Sequence, residues 1–65
     1  MKNRIEELRV ARKIRQEELA VMLGVSRQTI SSLENGRYNP SITLAYRIAK
    51  LFELKIEEVF LFEEE

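Results

Sequence analysis

The sequence predicts an all-α fold, a compact bundle of five short helices forming one domain over residues 1–65. Three observations predict it. Apolar residues recur at three- and four-residue spacing, in blocks separated by cap-forming Asn and Ser and by Gly24, Gly36 and Pro40. No strong alternating strand pattern, repeat or low-complexity segment interrupts these blocks. The connections between them are a few residues long, as in helical bundles. Sixty-five residues leave no room for a second domain. A chain of this size is marginal unless its helices pack well or it associates.

Each element has its own local reason. Asn3 is placed to cap a first helix, with Glu6 three residues on completing a capping box. Ile5, Leu8 and Ala11 then recur at helical spacing, with Arg4, Glu7 and Arg12 outside. Arg12, Lys13 and Arg15 crowd its end, where positive charge suits the helix dipole. A second helix runs from about Arg15 to Leu23, with Glu17 and Glu18 in its first turn. Gly24 can take the left-handed conformation that ends it and starts a tight turn. Ser26 caps a third helix, which ends at Asn35-Gly36. Arg37 to Asn39 form a polar loop, and Pro40 biases Asn39 away from helix. Ser41 caps a fourth helix with Leu44, Ala45, Ile48, Ala49 and Leu51 on or near its inner face. A short fifth helix is expected over about Ile56 to Leu61. The closing run Val59-Phe60-Leu61-Phe62 is too apolar for a free tail. It suits a two-fold interface made with the fifth helix, a short strand from about Leu61 to Glu64 pairing with Met1–Asn3, or both.

Composition narrows the chemistry. The chain has no cysteine, histidine or aspartate, and all 11 acids are glutamates. Most of the kit for acid–base work, nucleophile activation and metal ligation is therefore missing. No enzyme activity, cofactor, metal or small-molecule ligand is expected. The absence of cysteine fits a reducing compartment, and no apolar stretch is long enough to cross a bilayer; the expected location is the cytoplasm. Net charge is zero, yet residues 1–50 carry ten Lys/Arg against five Glu, while residues 51–65 carry Lys55 against six Glu. The body is basic and the C-terminal end acidic, and the local field, not the net charge, steers a protein toward phosphate. The acidic end itself reads as a solvated tail.

Residues Gln16 to Asn35, QEELAVMLGVSRQTISSLEN, carry the functional information. Ala20 lets two helices cross closely. Leu19, Leu23, Val25, Ile30 and Leu33 fall on the inner faces of both helices. The outer face of the second helix of the pair is left free. This is helix-turn-helix geometry, which presents one helix to the major groove of double-stranded DNA.

Taken together, LR at Leu8-Arg9, QEELA at Gln16–Ala20, LGVSRQTIS at Leu23–Ser31, LENG at Leu33–Gly36, NPS at Asn39–Ser41 and IEEVF at Ile56–Phe60 resemble the phage-repressor and Cro-type helix-turn-helix family, also called the xenobiotic-response-element type. The resemblance covers about residues 5 to 60. It implies a lambda-repressor-like bundle that binds an inverted repeat as a homodimer, and a transcriptional regulator, most simply a repressor. It places Arg27, Gln28 and Ser32 at base edges. Gln16 matches a glutamine that contacts phosphate and braces the recognition helix. Thr29 and Ser31 flank the base-reading positions, within reach of phosphate or a thymine methyl. Asn35, Arg37 and Asn39 match the segment that grips the backbone. Arg9 and Glu34 match a pair that ties the first helix to the third. Ile56, Val59, Phe60, Leu61 and Phe62 form the expected dimer interface.

Some positions depart from the family pattern. Arg15 stands where a Ser or Thr cap is usual, so that cap must come from elsewhere. Lys13 stands where glycine is common. Glu53 stands where glycine usually ends the fourth helix, which either strains Glu53 or shifts the helix end. On the reading face, Gln28 suits adenine, because its amide donates to N7 and accepts from the N6 amino group. Arg27 suits either a fork onto guanine or a phosphate. Ser31 and Ser32 allow close approach but make weak direct contacts, which leaves room for DNA shape and water in recognition. Two other readings use the same fold: an antitoxin or restriction–modification control protein, and a protein-interaction module without DNA binding. The second predicts an apolar or acidic recognition face, unlike the polar one here.

Overall fold

The computed structural model describes residues 2–61. Five helices follow in order: α1 (Ile5–Ala11), α2 (Gln16–Leu23), α3 (Arg27–Glu34), α4 (Ile42–Leu51) and α5 (Ile56–Val59). Their inner faces close on one core of Ile5, Leu19, Leu23, Ile30, Leu33, Ile48, Phe52, Val59 and Phe60, with Ala20, Ala45 and Ala49 where backbones approach. Among the described residues no helix is long and apolar enough to cross a membrane.

The caps on α3 and α4 are the expected ones. Ser26 Oγ accepts from the Thr29 N–H at 3.1 Å and Ser41 Oγ from the Leu44 N–H at 3.1 Å, each satisfying one of the free donors of a first turn. For α2 the missing cap comes from the helix itself. Glu18 accepts from the Arg15 N–H at 2.8 Å. This is the only half of a capping box available, since a guanidinium has no acceptor. That bond holds the Glu18 carboxyl below the usual carboxylate range. Lys55 and Glu58 repeat the device at 2.7 Å for α5.

The start of α1 corrects the expectation. Asn3 does not form a capping box with Glu6; the helix begins one residue later, with Arg4 in the cap position. Asn3 Oδ1 instead accepts from the Ile5 N–H at 3.0 Å, and its Nδ2 donates to the Leu33 carbonyl at 2.8 Å. The cause lies at the chain ends. Arg4 N–H donates to the Val59 carbonyl at 2.8 Å and Leu61 N–H to the Lys2 carbonyl at 2.9 Å, around an antiparallel bridge between Asn3 and Phe60. This terminal β pairing starts earlier than expected, at Phe60 rather than Leu61. It also ends α5 at Val59, short of the expected Leu61, because Phe60 is already extended. The rest of the expected strand, Phe62 to Glu64, lies outside the described residues.

α1 to α4 each end the same way. An N–H two or three residues past the helix returns to a carbonyl five residues back: Ile14 to Arg9 at 3.0 Å, Val25 to Ala20 at 3.0 Å, Arg37 to Ser32 at 3.0 Å and Leu54 to Ala49 at 2.9 Å. Each such motif needs one left-handed residue. Gly24 and Gly36 supply it at φ 71° and 78°; Lys13 and Glu53 supply it at φ 60° and 59°. The end of α4 is therefore not shifted; Glu53 carries the strain. Ile14, Val25 and Leu54 follow the left-handed residue and pack on the core, which repays the strain. Left-handed backbone costs a side-chain-bearing residue about 1–2 kcal/mol, and glycine costs about 0.4–1 kcal/mol through the unfolded chain. Lys13→Gly and Glu53→Gly should therefore each stabilise by about 0.5–1 kcal/mol. Urea unfolding of the two variants checks this, and a lower midpoint in both would contradict it.

Candidate nucleic-acid interface

The interface is built on the α2–turn–α3 unit. Ala20 is buried where α2 meets α3, and Gly24 turns the chain between them. Ile30 and Leu33 face wholly inward and clamp α3 to the core. The helical period then turns Gln28, Ser31, Ser32 and Asn35 to the opposite side. Gln28 and Asn35 are exposed, Ser31 and Ser32 half-buried. Arg37, Tyr38 and Asn39 continue the exposed surface into the following loop.

One partly buried network sets the orientation of α3. Glu34 Oε2 accepts from Arg9 Nε at 2.7 Å, and Glu34 Oε1 accepts from Arg9 Nη2 at 3.3 Å and Gln16 Nε2 at 2.9 Å. Arg9 Nη1 donates to the Ile14 carbonyl at 2.8 Å. The side chains of Arg9 and Glu34 are only 11% and 4% exposed. The hydrogen bond to Glu34 raises the Arg9 pKa above its ordinary value, so the guanidinium stays charged. Because Gln16 gives its amide nitrogen to Glu34, its carbonyl oxygen points the other way, toward Arg27 Nη1 at 3.4 Å. Arg9, Arg15, Gln16 and Arg27 thus meet around one polar recess at the start of α2. The sequence-expected pair and the bracing glutamine are one connected unit.

Other expected residues stand as follows. The Thr29 hydroxyl lies 2.9 Å from Ser26 Oγ, engaged in the cap of α3. Gln28, Arg37 and Asn39 are exposed, and among the described residues their side chains have no hydrogen-bonded partner. Two basic residues on the outer side of α1 are already committed within the chain. Arg4 pairs with Glu7 at 3.1 Å and donates to the Glu58 carbonyl at 3.2 Å. Arg12 donates to the Leu51 and Phe52 carbonyls, each at 3.2 Å, and lies over the Phe52 ring, closing the end of α4.

The expected dimer surface needs correction. Val59 and Phe60 are 0% and 1% exposed, consumed by the monomer's own core. Ile56 packs partly against that core and Leu61 remains partly exposed; Phe62 lies outside the described residues. Sequence reasoning also passed over Tyr38. Its one signal was an aromatic ring set in an otherwise polar loop directly after α3.

A buried crossing of α2 and α3, with the outer face of α3 polar and unoccupied, defines a helix-turn-helix protein. The family model described as Helix-turn-helix matches residues 5–59. The chain belongs to this family, in its Cro/C1-type branch, a DNA-binding and non-enzymatic class. It is similar to an uncharacterized HTH-type transcriptional regulator of Archaeoglobus fulgidus, 54% identical over the whole of this chain and 92% of that one. It is also similar to the cryptic phage CTXphi transcriptional repressor RstR of Vibrio cholerae, 33% identical over 88% of this chain and 51% of that one. The crystal structure of the restriction-modification controller protein C.AhdI from Aeromonas hydrophila superposes with a TM-score of 0.75, at 31% identity, covering 85% of this chain and 83% of that chain. The fold is that of the expected five-helix bundle.

Proposed function

We propose that this DNA-binding regulator is a homodimeric cytoplasmic repressor that reads an inverted-repeat operator with α3 in the major groove. The single observation that carries the reading is the outer face of α3. It is polar, non-acidic and unpartnered at Gln28, and it is flanked by Arg27 and Arg37. An interaction module without DNA binding has no use for such a face. Gln28, Ser32 and Arg27 approach the base edges. Gln16, Thr29, Ser31, Asn35, Arg37 and Asn39 hold the backbone and set register. The outer part of Ile56, with the exposed Tyr46 beside it, and separately Leu61 at the paired chain ends supply apolar surface for a two-fold contact. Two-fold symmetry then spaces the half-sites by about one helical turn, near 34 Å. The similarity to a transcriptional repressor supports the sign of regulation.

Selection from random duplex DNA, followed by a salt titration on the enriched site, tests this. The expected result is an inverted repeat whose affinity falls steeply with salt as counterions are released. Gln28→Ala should lose about 1–3 kcal/mol and its preference at one base pair. Its salt slope should stay unchanged, because no phosphate contact is removed. No enrichment, together with weak binding at low salt, would overturn the proposal.

A further inference from the structure

We infer that Tyr38 is a specificity-determining residue, its ring receiving the 5-methyl group of a thymine beside Gln28. The inference rests on the DNA-binding reading above. Tyr38 is 44% exposed in the loop after α3. It walls a shallow open recess of about 250 Å³ together with Ser26, Gln28, Thr29 and Ser32. This recess therefore spans the part of α3 that faces the groove, and Tyr38 gives it an aromatic side.

The chemistry of the wall decides what fits. The hydroxyls of Ser26 and Thr29 lie 2.9 Å apart, and Ser26 Oγ also accepts from the Thr29 N–H. Both are occupied by the cap of α3. What remains toward an incoming base is the Gln28 amide, the Ser32 hydroxyl, the single methyl of Thr29 and the larger apolar face of the Tyr38 ring. A glutamine amide on adenine puts a thymine in the same base pair, and the thymine methyl stands in the same groove. An amide and an apolar ring in one recess thus match the two halves of an A·T pair. The short Ser31 and Ser32 cannot supply that apolar surface. Among the described residues the other exposed aromatic is Tyr46, which lies on α4 under Lys50. A phenol ring has few rotatable bonds, so holding it against a base costs little conformational freedom.

The test is a protein-by-DNA cycle. Each thymine of the selected half-site is replaced in turn by deoxyuridine, which lacks only the methyl, and binding is measured for the intact protein, Tyr38→Ala and Tyr38→Phe. The expected result is one position where deoxyuridine weakens the intact protein about fourfold, the value of one buried methyl group. Tyr38→Ala should show no such penalty there, and Tyr38→Phe should keep it. Equal deoxyuridine penalties for the intact protein and Tyr38→Ala at every position would overturn the inference while leaving the DNA reading intact. Equal losses in Tyr38→Phe and Tyr38→Ala, with a shallower salt dependence, would overturn it in favour of a hydroxyl–phosphate contact. Absence of any enriched duplex would overturn both readings together. Because Tyr38 lies outside the core, circular dichroism of the variants should match the intact protein.

Discussion

Arg9→Met is expected to destabilise the protein by about 3–5 kcal/mol, the cost of leaving a buried charge without its partner. The stranded group is Glu34, whose side chain is 4% exposed. It would lose the bonds at 2.7 Å and 3.3 Å and keep only the Gln16 amide at 2.9 Å. The Ile14 carbonyl would lose its 2.8 Å donor as well, at the point where Lys13 already holds a left-handed backbone. A domain of this length is stable by only about 3–10 kcal/mol, so the loss is a large share of its whole stability. The double variant Arg9→Met/Glu34→Met should be much less affected. Exchanging a buried ion pair for apolar residues of similar volume is often close to neutral, because desolvation offsets the attraction. Urea unfolding of the three proteins separates these cases. A loss under about 1 kcal/mol in Arg9→Met would mean that the pair behaves as a surface pair. The double variant should also bind DNA poorly despite folding, since Gln16 would lose the acceptor that turns its oxygen toward Arg27.

Features with purely local causes were legible in the sequence. Ser26, Ser41 and Gly24 act on neighbours within four residues, and each stands where expected. At Glu53 the family pattern left strain or a shifted helix end open, and the backbone takes the strain; Lys13, read only as standing where glycine is common, takes it too. Asn3 was misread because its role is set from a distance. Its carboxamide serves the Leu33 carbonyl, thirty residues away, and its backbone bridges to Phe60. A capping-box pattern cannot express that competition. The Arg9–Glu34 contact spans twenty-five residues; the family resemblance supplied it, and periodicity alone did not. Resemblance did not show that Gln16 joins the pair to Arg27, because that depends on which way one amide faces. Tyr38 escaped notice for a similar reason: its neighbours Gln28 and Ser32 come from the other end and the middle of α3.

Phe60→Ala decides whether this residue serves the monomer's core or the two-fold interface that the sequence suggested. Phe60 is 1% exposed in the monomer and sits with Ile5, Leu33 and Val59 in the core. It turns inward because the backbone leaves α5 in an extended conformation and pairs with Asn3. Truncating a buried phenylalanine to alanine costs about 3–5 kcal/mol, again comparable to the whole stability of the domain. The loss should appear within the monomer, so the difference in unfolding free energy should not change with protein concentration. A residue used only at a two-fold interface would behave in the opposite way. Its truncation would yield a well-folded monomer and shift the association equilibrium alone. Leu61→Ser provides the comparison. Leu61 is 38% exposed, and its contribution to the terminal pairing is made by its backbone N–H to the Lys2 carbonyl, which serine retains. Leu61→Ser should leave monomer unfolding nearly unchanged and weaken self-association in sedimentation equilibrium. A stable, monomeric Phe60→Ala would return this residue to the interface and require the chain ends to open when the protein associates. An unstable Phe60→Ala with an association-deficient Leu61→Ser would fix the division of labour between neighbours: Phe60, with Val59, for the core and Leu61 for the partner.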